Sequence, residues 1–379
     1  MSVFRSRPTL RWLVPSAAAV VVIGGGAAAG TIVASADPAL PERSAAQILV
    51  DLQNADVEGF SGTIVQSADL GLPQIAGLTS DASGQLGLAS LVAGSNTARV
   101  WYAGEDKARI ALLGTQGETD VIRNGPDVWF WQSQENAATH LKLPADAVQK
   151  QKPTALPSGV PSTPQEAADA ALAAIDDTTK VSTTGAAKVA DRDAYELVLS
   201  PKADQSLIGQ VRLAVDAEKH IPLRVDVYAK NATSPAVRVA FQQISFDTPD
   251  PQQFVFNPPP GAKVTETNSD QLEKDAEKAA KEHKSPEIEK AKAQGEGVKV
   301  VGEGWASIVT AKLPQASDAK GEEGKQAESM LGMLPEVSGT WGKGRLFAGS
   351  LFSVLVTDDG RVFAGAVAPE SLYQAAAKK

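Results

Sequence analysis

The stretch ARVWYAGEDKARI at residues 98–110, followed by GETDVIRNGPDVWFW at residues 117–131, decides the fold of this chain. Val100 and Tyr102 alternate with Arg99 on a segment rich in strand-forming residues. This alternation is typical of an extended chain, whose successive side chains point to opposite faces of a sheet. We therefore predict strands joined by turns throughout this block.

The second part of the block contains a turn signal followed by an unusual strand. Asn124-Gly125-Pro126-Asp127 predicts a tight turn, because Asn and Gly tolerate left-handed angles and Pro cannot donate to a ladder. The next four residues, Val128–Trp131, place bulky apolar groups on both faces of the strand. A half-buried antiparallel strand normally has a polar side. Both faces of this strand are therefore expected to be covered.

The same residues carry a family resemblance. The order V-W-Y at 100–102, a hairpin, and D-V-I-R-N-G-P-D-V-W-F-W at 120–131 resembles the lipoprotein-carrier family LolA and its relative RseB/MucB. The run G-A-V-A-P-E-S-L at 365–372 resembles the small C-terminal domain of RseB/MucB. The resemblance implies an α+β fold: a curved antiparallel β-sheet, an incomplete LolA-like barrel covered by helices, with a small C-terminal α+β domain. In that family the concave face of the sheet holds acyl chains.

The N-terminus has the composition of an export segment. Three arginines at positions 5, 7 and 11 precede a charge-free run from residue 13 to residue 36, and Ala34-Ser35-Ala36 fits a small-residue cleavage site. The run is also long enough to span a bilayer, which takes about 20 residues. Residues 1–36 are therefore either a cleaved signal peptide or a retained membrane anchor. Both alternatives place the rest of the chain outside the cytoplasm, secreted or anchored on the outer face of the cytoplasmic membrane.

Composition limits the chemistry that the chain can carry. There is no cysteine, and the formal net charge is −9. The missing cysteines exclude a lipid-anchored cysteine, a disulfide framework and a thiolate metal site. The negative charge makes nucleic acid a poor partner.

Patterning divides the chain into further units. Ser44 and Gln47 form a capping box before a helix, and short alternating strands then continue to Val264. We predict a LolA-like half-barrel domain at 40–264, a charged helical linker at 265–296 and a small α+β domain at 297–379. The linker is rich in Lys, Glu and Ala without an apolar stripe, so a solvated helix is favoured over a partner-binding helix.

The bulky apolar residues of the sheet, and a helix that Thr163 and Pro164 would begin, are candidates for the wall of an acyl-chain cavity. They are Trp101, Tyr102, Val128, Trp129, Phe130, Trp131, Leu172 and Ile175. The alternative is a core that is covered by protein on both faces. A cavity for aliphatic chains needs shape and few polar groups, so no diagnostic motif is expected.

The segment 68–95 is a second candidate feature. It combines apolar residues with Gly, Ser and Pro and fits neither helical nor strand periodicity. It is either an ordered loop packed on the core or a mobile apolar flap at the mouth of a lipid cavity. The gating candidates are Leu70, Leu72, Ile75, Leu86 and Leu88.

The sequence contains no pattern of catalytic residues. His140, His220 and His283 are far apart, and no G-x-S-x-G motif occurs. We predict a non-enzymatic carrier without cofactor or metal that binds lipid or lipoprotein acyl chains. The alternative is an RseB/MucB-like sensor that regulates a membrane-protein partner such as an anti-sigma factor. A plain structural domain is a third hypothesis and a hydrolase a distant fourth.

Overall fold

A computed structural model of the 379-residue chain describes residues 40–71, 95–114, 117–143, 164, 172, 175–268, 298–312 and 331–378. The predicted export segment and residues 269–296 of the predicted linker lie outside these ranges. Pro164 and Leu172 are helical, and the other residues of the helix predicted before Ile175 are outside the described set. Within the described ranges, no helix has both the length and the apolar character needed to cross a membrane.

Helix α1 (Ala45–Gln53) begins where the sequence predicts it. The backbone amide of Gln47 donates to the Ser44 hydroxyl at 3.3 Å, and the Ser44 amide donates to the Gln47 side chain at 2.9 Å. These two bonds satisfy amides that have no partner inside the helix. Ile48 and Leu52 face inward and are buried, which confirms the amphipathic pattern.

Twelve strands form one large, curved and open sheet. Its order is β12-β6-β5-β4-β3-β2-β1-β11-β10-β9-β8-β7, so β12 and β7 are its edges. This arrangement confirms the predicted half-barrel sheet. The strands are β1 (Phe60–Ala68), β2 (Ser95–Tyr102), β3 (Lys107–Leu113), β4 (Glu118–Asn124), β5 (Asp127–Gln132), β6 (Ala137–Lys142), β7 (Thr179–Val189), β8 (Arg192–Pro201), β9 (Ile208–Asp216), β10 (Pro222–Ala229), β11 (Val237–Ser245) and β12 (Lys263–Asn268).

One pair of these strands differs from the predicted antiparallel pattern. β12 runs parallel to β6, with Lys263 opposite Ala137 and Asn268 opposite Lys142. A parallel pairing needs a long crossover. The chain makes it between β11 and β12, through a segment that includes a 3-10 turn at Pro251–Phe254, and this turn contacts β3 and β4.

The two faces of the large sheet differ in chemistry. Leu197, Leu213, Val225 and Val239 lie opposite one another in register, and Ile64 is on their side. We call this side the apolar face. The neighbouring rows contain Glu196, Arg212, Arg224, Asp226 and Arg238, and we call their side the charged face. Ile48 and Leu52 of α1 pack in one cluster with residues of the apolar face, so the helix covers that face.

The C-terminal part of the chain forms a six-stranded antiparallel sheet in the order β13-β14-β18-β17-β16-β15. A turn at Asp358-Asp359-Gly360 joins β17 to β18, and helix α2 (Pro369–Ala377) packs on both strands. The strands are β13 (Lys299–Val301), β14 (Ile308–Lys312), β15 (Glu336–Gly339), β16 (Gly342–Ala348), β17 (Ser353–Thr357) and β18 (Arg361–Gly365).

The small sheet shares a core with the large one. Trp305, Leu351, Phe352 and Ala366 pack in the cluster that contains α1 and the apolar face of β8 to β11. The Trp305 indole N–H donates to the Thr179 hydroxyl at 2.8 Å. A buried aromatic side chain with its polar atom satisfied is a strong anchor for such a junction.

Candidate functional site

Strand register places the candidate wall residues on both faces of the large sheet. Across the sheet, Tyr102 pairs with Ala108, Ala108 pairs with Arg123, and Arg123 pairs with Val128, so these side chains point to one face. The next row of paired residues on this face leads from Val100 through Ile110 and Val121 to Phe130. Tyr102, Val128 and Phe130 therefore lie on the apolar face. Trp101, Trp129 and Trp131 are one residue out of phase and lie on the charged face.

The tryptophans on the charged face of β5 are covered by protein. The Phe256 ring packs against Trp129 and Trp131, with centroid distances of 5.2 and 5.7 Å. The Trp129 ring also stacks on His140 at 4.1 Å. Trp131 is buried. Among the residues that the structure describes, this side of β5 is thus covered by the crossover segment and not by an α-helix.

On the same face, Trp101 contacts a charged pair. The Arg109 guanidinium lies 5.2 Å from the Trp101 ring centroid and donates to Asp120 at 2.6 Å. Burial, helped by Glu118, raises the pKa of Asp120 to about 6 although Arg109 opposes the shift. Trp101 therefore contacts the Arg109–Asp120 pair of the fold and lies on the face opposite Tyr102.

The apolar side of β2 to β5 is built differently. Ile110, Val121, Val128 and Phe130 are half-buried, and none of their side chains carries a polar group. Tyr102 is also half-buried, and the Phe60 ring lies 5.4 Å from its ring. We call Tyr102, Ile110, Val121, Val128 and Phe130 the aromatic–aliphatic patch. Such a patch can contact aliphatic chain without leaving polar groups unpaired.

Tyr102 is the polar member of this patch, and the buried Arg123 lies on the same face, in the row between Tyr102 and Val128. Burial raises the pKa of the Tyr102 phenol, and the nearby carboxylates of Glu105, Asp56 and Asp106 raise it further. The hydroxyl therefore stays neutral at physiological pH. A neutral hydroxyl at the border of an apolar surface can orient a ligand by a hydrogen bond.

The remaining candidates lie elsewhere. Leu172 and Ile175 are half-buried against the cluster that contains α1 and Leu213, which is separate from the cluster around Val100. Leu70 is buried, and its carbonyl accepts from the Ser350 amide at 3.0 Å, at the junction between the sheets. Four gating candidates lie outside the described residues: Leu72, Ile75, Leu86 and Leu88.

Ion pairs occupy the charged face at the other half of the sheet. Asp226 is fully buried and accepts two bonds from Arg238, at 2.6 and 2.9 Å. Arg224 donates to Glu196 at 2.8 Å, and Arg212 donates to it at 3.2 Å. Each acidic group is therefore matched by arginines. The network satisfies its own charges and offers no apolar surface to a ligand.

A cleft of about 490 Å³ opens at the β7 edge, between this strand and the segment that leads into α1. Its volume is within the usual range for ligand pockets, roughly 300–1,000 Å³. The Arg43 guanidinium lies 5.8 Å from the Tyr195 ring centroid and pairs with Asp51. The cleft is lined by Leu40, Pro41, Glu42, Arg43, Ser44, Ile48, Thr183, Gly185, Ala186 and Tyr195.

Among the described residues, no group of three His, Cys, Asp or Glu side chains could hold a metal ion. His140 makes contacts of 2.7 Å to Glu266 and 2.9 Å to Asp127, one with each ring nitrogen. The two nitrogens point in different directions, so these carboxylates do not converge with the ring on one point. The arrangement is a hydrogen-bonded bridge between β5, β6 and β12.

Sequence reasoning missed Ile110 and Val121 as members of the candidate surface. Their signal was available in the alternation of β3 and β4, because each pairs with a residue in phase with one already singled out. The cleft at β7 had no sequence signal, since it depends on how residues 40–44 approach a strand about 140 positions later.

Comparison with sequence families gives one match. Residues 85–266 match a family described as "Predicted periplasmic protein (DUF2092)". A comparison with curated protein sequences found no match.

Comparison with solved structures gives distant similarities. A Pseudomonas aeruginosa MucA/MucB complex structure matches with a TM-score of 0.41 and 16% identity, over 88% of this chain and 96% of the other. A LolA superfamily protein from Nitrosomonas europaea matches with a TM-score of 0.21 and 11% identity, over 57% and 99%. An uncharacterized conserved protein from Thermus thermophilus matches with a TM-score of 0.33 and 11% identity, over 59% and 99%. The families that the sequence resembles are thus found again among these matches.

Proposed function

We propose that the chain is an extracytoplasmic, non-enzymatic protein of the LolA/RseB type that binds a lipid or a lipoprotein acyl chain on the apolar face of its large sheet. The observation that carries the proposal is the division of β5. On one side, Phe256 packs on the half-buried Trp129 and the buried Trp131. On the other side, Val128 and Phe130 are half-buried and share their face with Tyr102, Ile110 and Val121. One side of the strand thus serves the fold and the other is suited to a ligand.

Energetics support an apolar ligand at this patch. Burial of aliphatic chain contributes about 0.8 kcal/mol for each methylene group. A long acyl chain could therefore bind by burial alone, without a charged anchor. The export segment and the periplasmic family description support a location outside the cytoplasm, where lipoproteins are handled.

The test is binding of a fatty acid that carries a fluorescent reporter to the full chain in detergent. Phe130→Glu places a charge in the patch and should weaken binding about tenfold, which corresponds to the loss of roughly two methylene contacts. The matched control is Trp129→Glu, the neighbouring residue on the opposite face, which should change affinity about twofold or less. Circular dichroism verifies that both variants are folded.

The proposal fails if the wild-type chain does not bind the probe, or if both variants weaken binding equally. Native mass spectrometry of the protein taken from its own host provides a second readout. Co-purified lipid is expected, and the same spectrum reports whether residues 1–36 have been removed.

A second candidate function is the binding of a membrane-protein partner, such as an anti-sigma factor, as a sensor. The open β7 edge and its adjacent cleft favour this candidate, because a strand edge with a pocket beside it suits a polypeptide better than an acyl chain.

A further inference from the structure

Strand β7 ends the large sheet with an unpaired edge. It pairs with β8 on one side, and no ladder joins its other side to another strand of the described ranges. The middle of the strand, from Thr183 to Gly185, is exposed. An edge of this kind presents a row of free N–H and C=O groups that another extended chain can satisfy.

The cleft beside this edge provides pockets for side chains. Ala186 lies opposite Tyr195, whose ring forms part of the cleft together with Leu40 and Ile48. An added strand would place every second side chain on this face of the sheet. Those side chains would enter a cleft whose walls are apolar at Leu40, Ile48 and Tyr195, so the added strand should carry apolar residues there. The same cleft has polar groups from residues 42–44.

Lysines at the two ends of the strand restrict what can pair with it. Lys180 and Lys188 are both exposed. The two side chains point to opposite faces of the sheet, because their partners Ser200 and Asp193 are seven residues apart on β8. Strand β7 has no acidic residue, so a second copy of it would add two more lysines without a counter-charge, and this edge disfavours a second copy.

The same lysines favour an acidic strand. Within the fold, Asp193 of β8 lies opposite Lys188, and their charged atoms are 3.5 Å apart. A strand on the free side with acidic residues near both ends would form such pairs there as well.

A bulge divides the edge. Thr184 is the extra residue between Thr183 and Gly185, and its hydroxyl donates to Glu196 at 2.6 Å. Gly185 has a φ of +105°, which glycine adopts at low cost. The bulge turns the strand locally and leaves two straight stretches, one on each side of it, for pairing.

We infer that β7 is a docking edge for an extended, acidic segment of a partner protein, which adds to the large sheet as a further strand and places apolar side chains in the cleft beside Tyr195. This inference rests on the second candidate function, the binding of a protein partner. It names the surface and the chemistry of the partner segment.

A synthetic peptide with the sequence of β8, RDAYELVLSP, and the change Ser200→Glu serves as the probe, because Ser200 is the β8 residue in register with Lys180. The peptide then has acidic residues near both ends, together with the alternating apolar residues Tyr195, Leu197 and Leu199. Fluorescence anisotropy of the labelled peptide with the full chain should show saturable binding, and a scrambled peptide should bind at least about tenfold more weakly. Hydrogen exchange should show that amides of β7 become protected when the peptide is added.

Charge exchange separates a docking role from a general effect on folding. Lys180→Glu together with Lys188→Glu should weaken binding about tenfold, and a peptide whose acidic residues near the two ends are replaced by lysine should restore it. The matched control is Lys343→Glu, an exposed lysine on the small sheet, which should leave binding unchanged. Because the chain has no cysteine, Thr183→Cys creates a single thiol, and a bulky adduct on it should block the peptide.

The inference is overturned if the β8 peptide does not bind, or if the exchanged peptide fails to bind the charge-reversed protein. The same charge-reversed variant is assayed with the fluorescent fatty acid. Retained fatty-acid binding with lost peptide binding supports the inference. Loss of fatty-acid binding in the Phe130→Glu variant alone concerns the first proposed function and leaves this one standing.

Discussion

The imidazole of His140 lies flat against the indole of Trp129, with ring centroids 4.1 Å apart and planes 8° from parallel. Both ring nitrogens face carboxylates, those of Glu266 and Asp127. The stacked ring is thus the centre of a bridge that ties β12, the parallel edge strand, to the sheet.

The first prediction concerns this bridge. His140→Ala removes the contact to Glu266 and should make the amides of β12 exchange faster with solvent, because the strand pairs with β6 alone among the described strands. Hydrogen exchange followed by mass spectrometry measures the effect. Lys142→Ala, at the exposed end of the same strand as His140, is the control and should leave β12 unchanged. Equal exchange in the two variants would contradict a role for the bridge.

A second prediction concerns the buried carboxyl group of Asp120. Burial raises its pKa from 3.8 to about 6, so between these values the folded state binds a proton that the unfolded state has released. Stability from this group is therefore present at low pH and is lost as pH rises to about 6, by about 3 kcal/mol. Asp120→Asn should remove this part of the pH dependence in urea unfolding measured from pH 4 to 7. If the variant and the wild type have parallel profiles, the assigned shift is wrong. Asp358→Asn, at an exposed turn, is the control.

Asp216 gives a third prediction, of opposite sign. Burial alone would raise its pKa, but two bonds from Arg192, at 2.7 and 3.0 Å, and the amides of Lys219 and Glu218 outweigh burial and lower it. The stability that Asp216 contributes is present above its unfolded pKa of 3.8 and is lost as pH falls through the lower folded value.

Asp216→Asn removes the buried counter-charge of Arg192, which keeps only its contact with the exposed Glu218, and should cost about 3 kcal/mol of unfolding free energy at pH 7. Asp193→Asn, an exposed partner of Lys188, should cost about 0.5 kcal/mol or less. Chemical denaturation of the two variants measures the difference. A loss for Asp216→Asn no larger than that of the control would show that the buried pair does not stabilise the fold.

Much of the large sheet could be predicted because its information is local. Alternation and the turn at Asn124 to Asp127 specify β4 and β5, and the Ser44–Gln47 box specifies the start of α1. The parallel pairing of β12 could not be predicted. It depends on residues 263–268 reaching a strand more than 120 positions earlier, and no local pattern encodes that distance.

The sequence assigns the side chains of β5 to two faces but does not tell which face is covered by protein. Alternation assigns Trp129 and Phe130 to opposite faces, yet both faces carry aromatic side chains, so the sequence does not tell which face is covered. The deciding residue is Phe256, which comes from an irregular segment and packs on Trp129 and Trp131. Irregular segments lack periodicity, and their contacts become visible only in three dimensions.

The last prediction concerns the junction between the two sheets. Gly304 has a φ of +60°, and a Cβ atom at this position would lie 2.0 Å from the Thr178 hydroxyl oxygen and 2.7 Å from the Thr178 Cβ. Gly304→Ala should therefore displace Trp305 from Thr179 and lower the unfolding free energy by about 2 kcal/mol or more, from backbone strain and the clash together. Gly332→Ala is the matched control, since a Cβ there meets no heavy atom within 4 Å. Thermal unfolding and limited proteolysis compare the two variants. Adding Thr178→Ala should recover part of the lost unfolding free energy, because it removes the hydroxyl that the new methyl group meets. If Gly304→Ala changes neither the unfolding free energy nor the proteolysis pattern, the Trp305 anchor does not hold the sheets together.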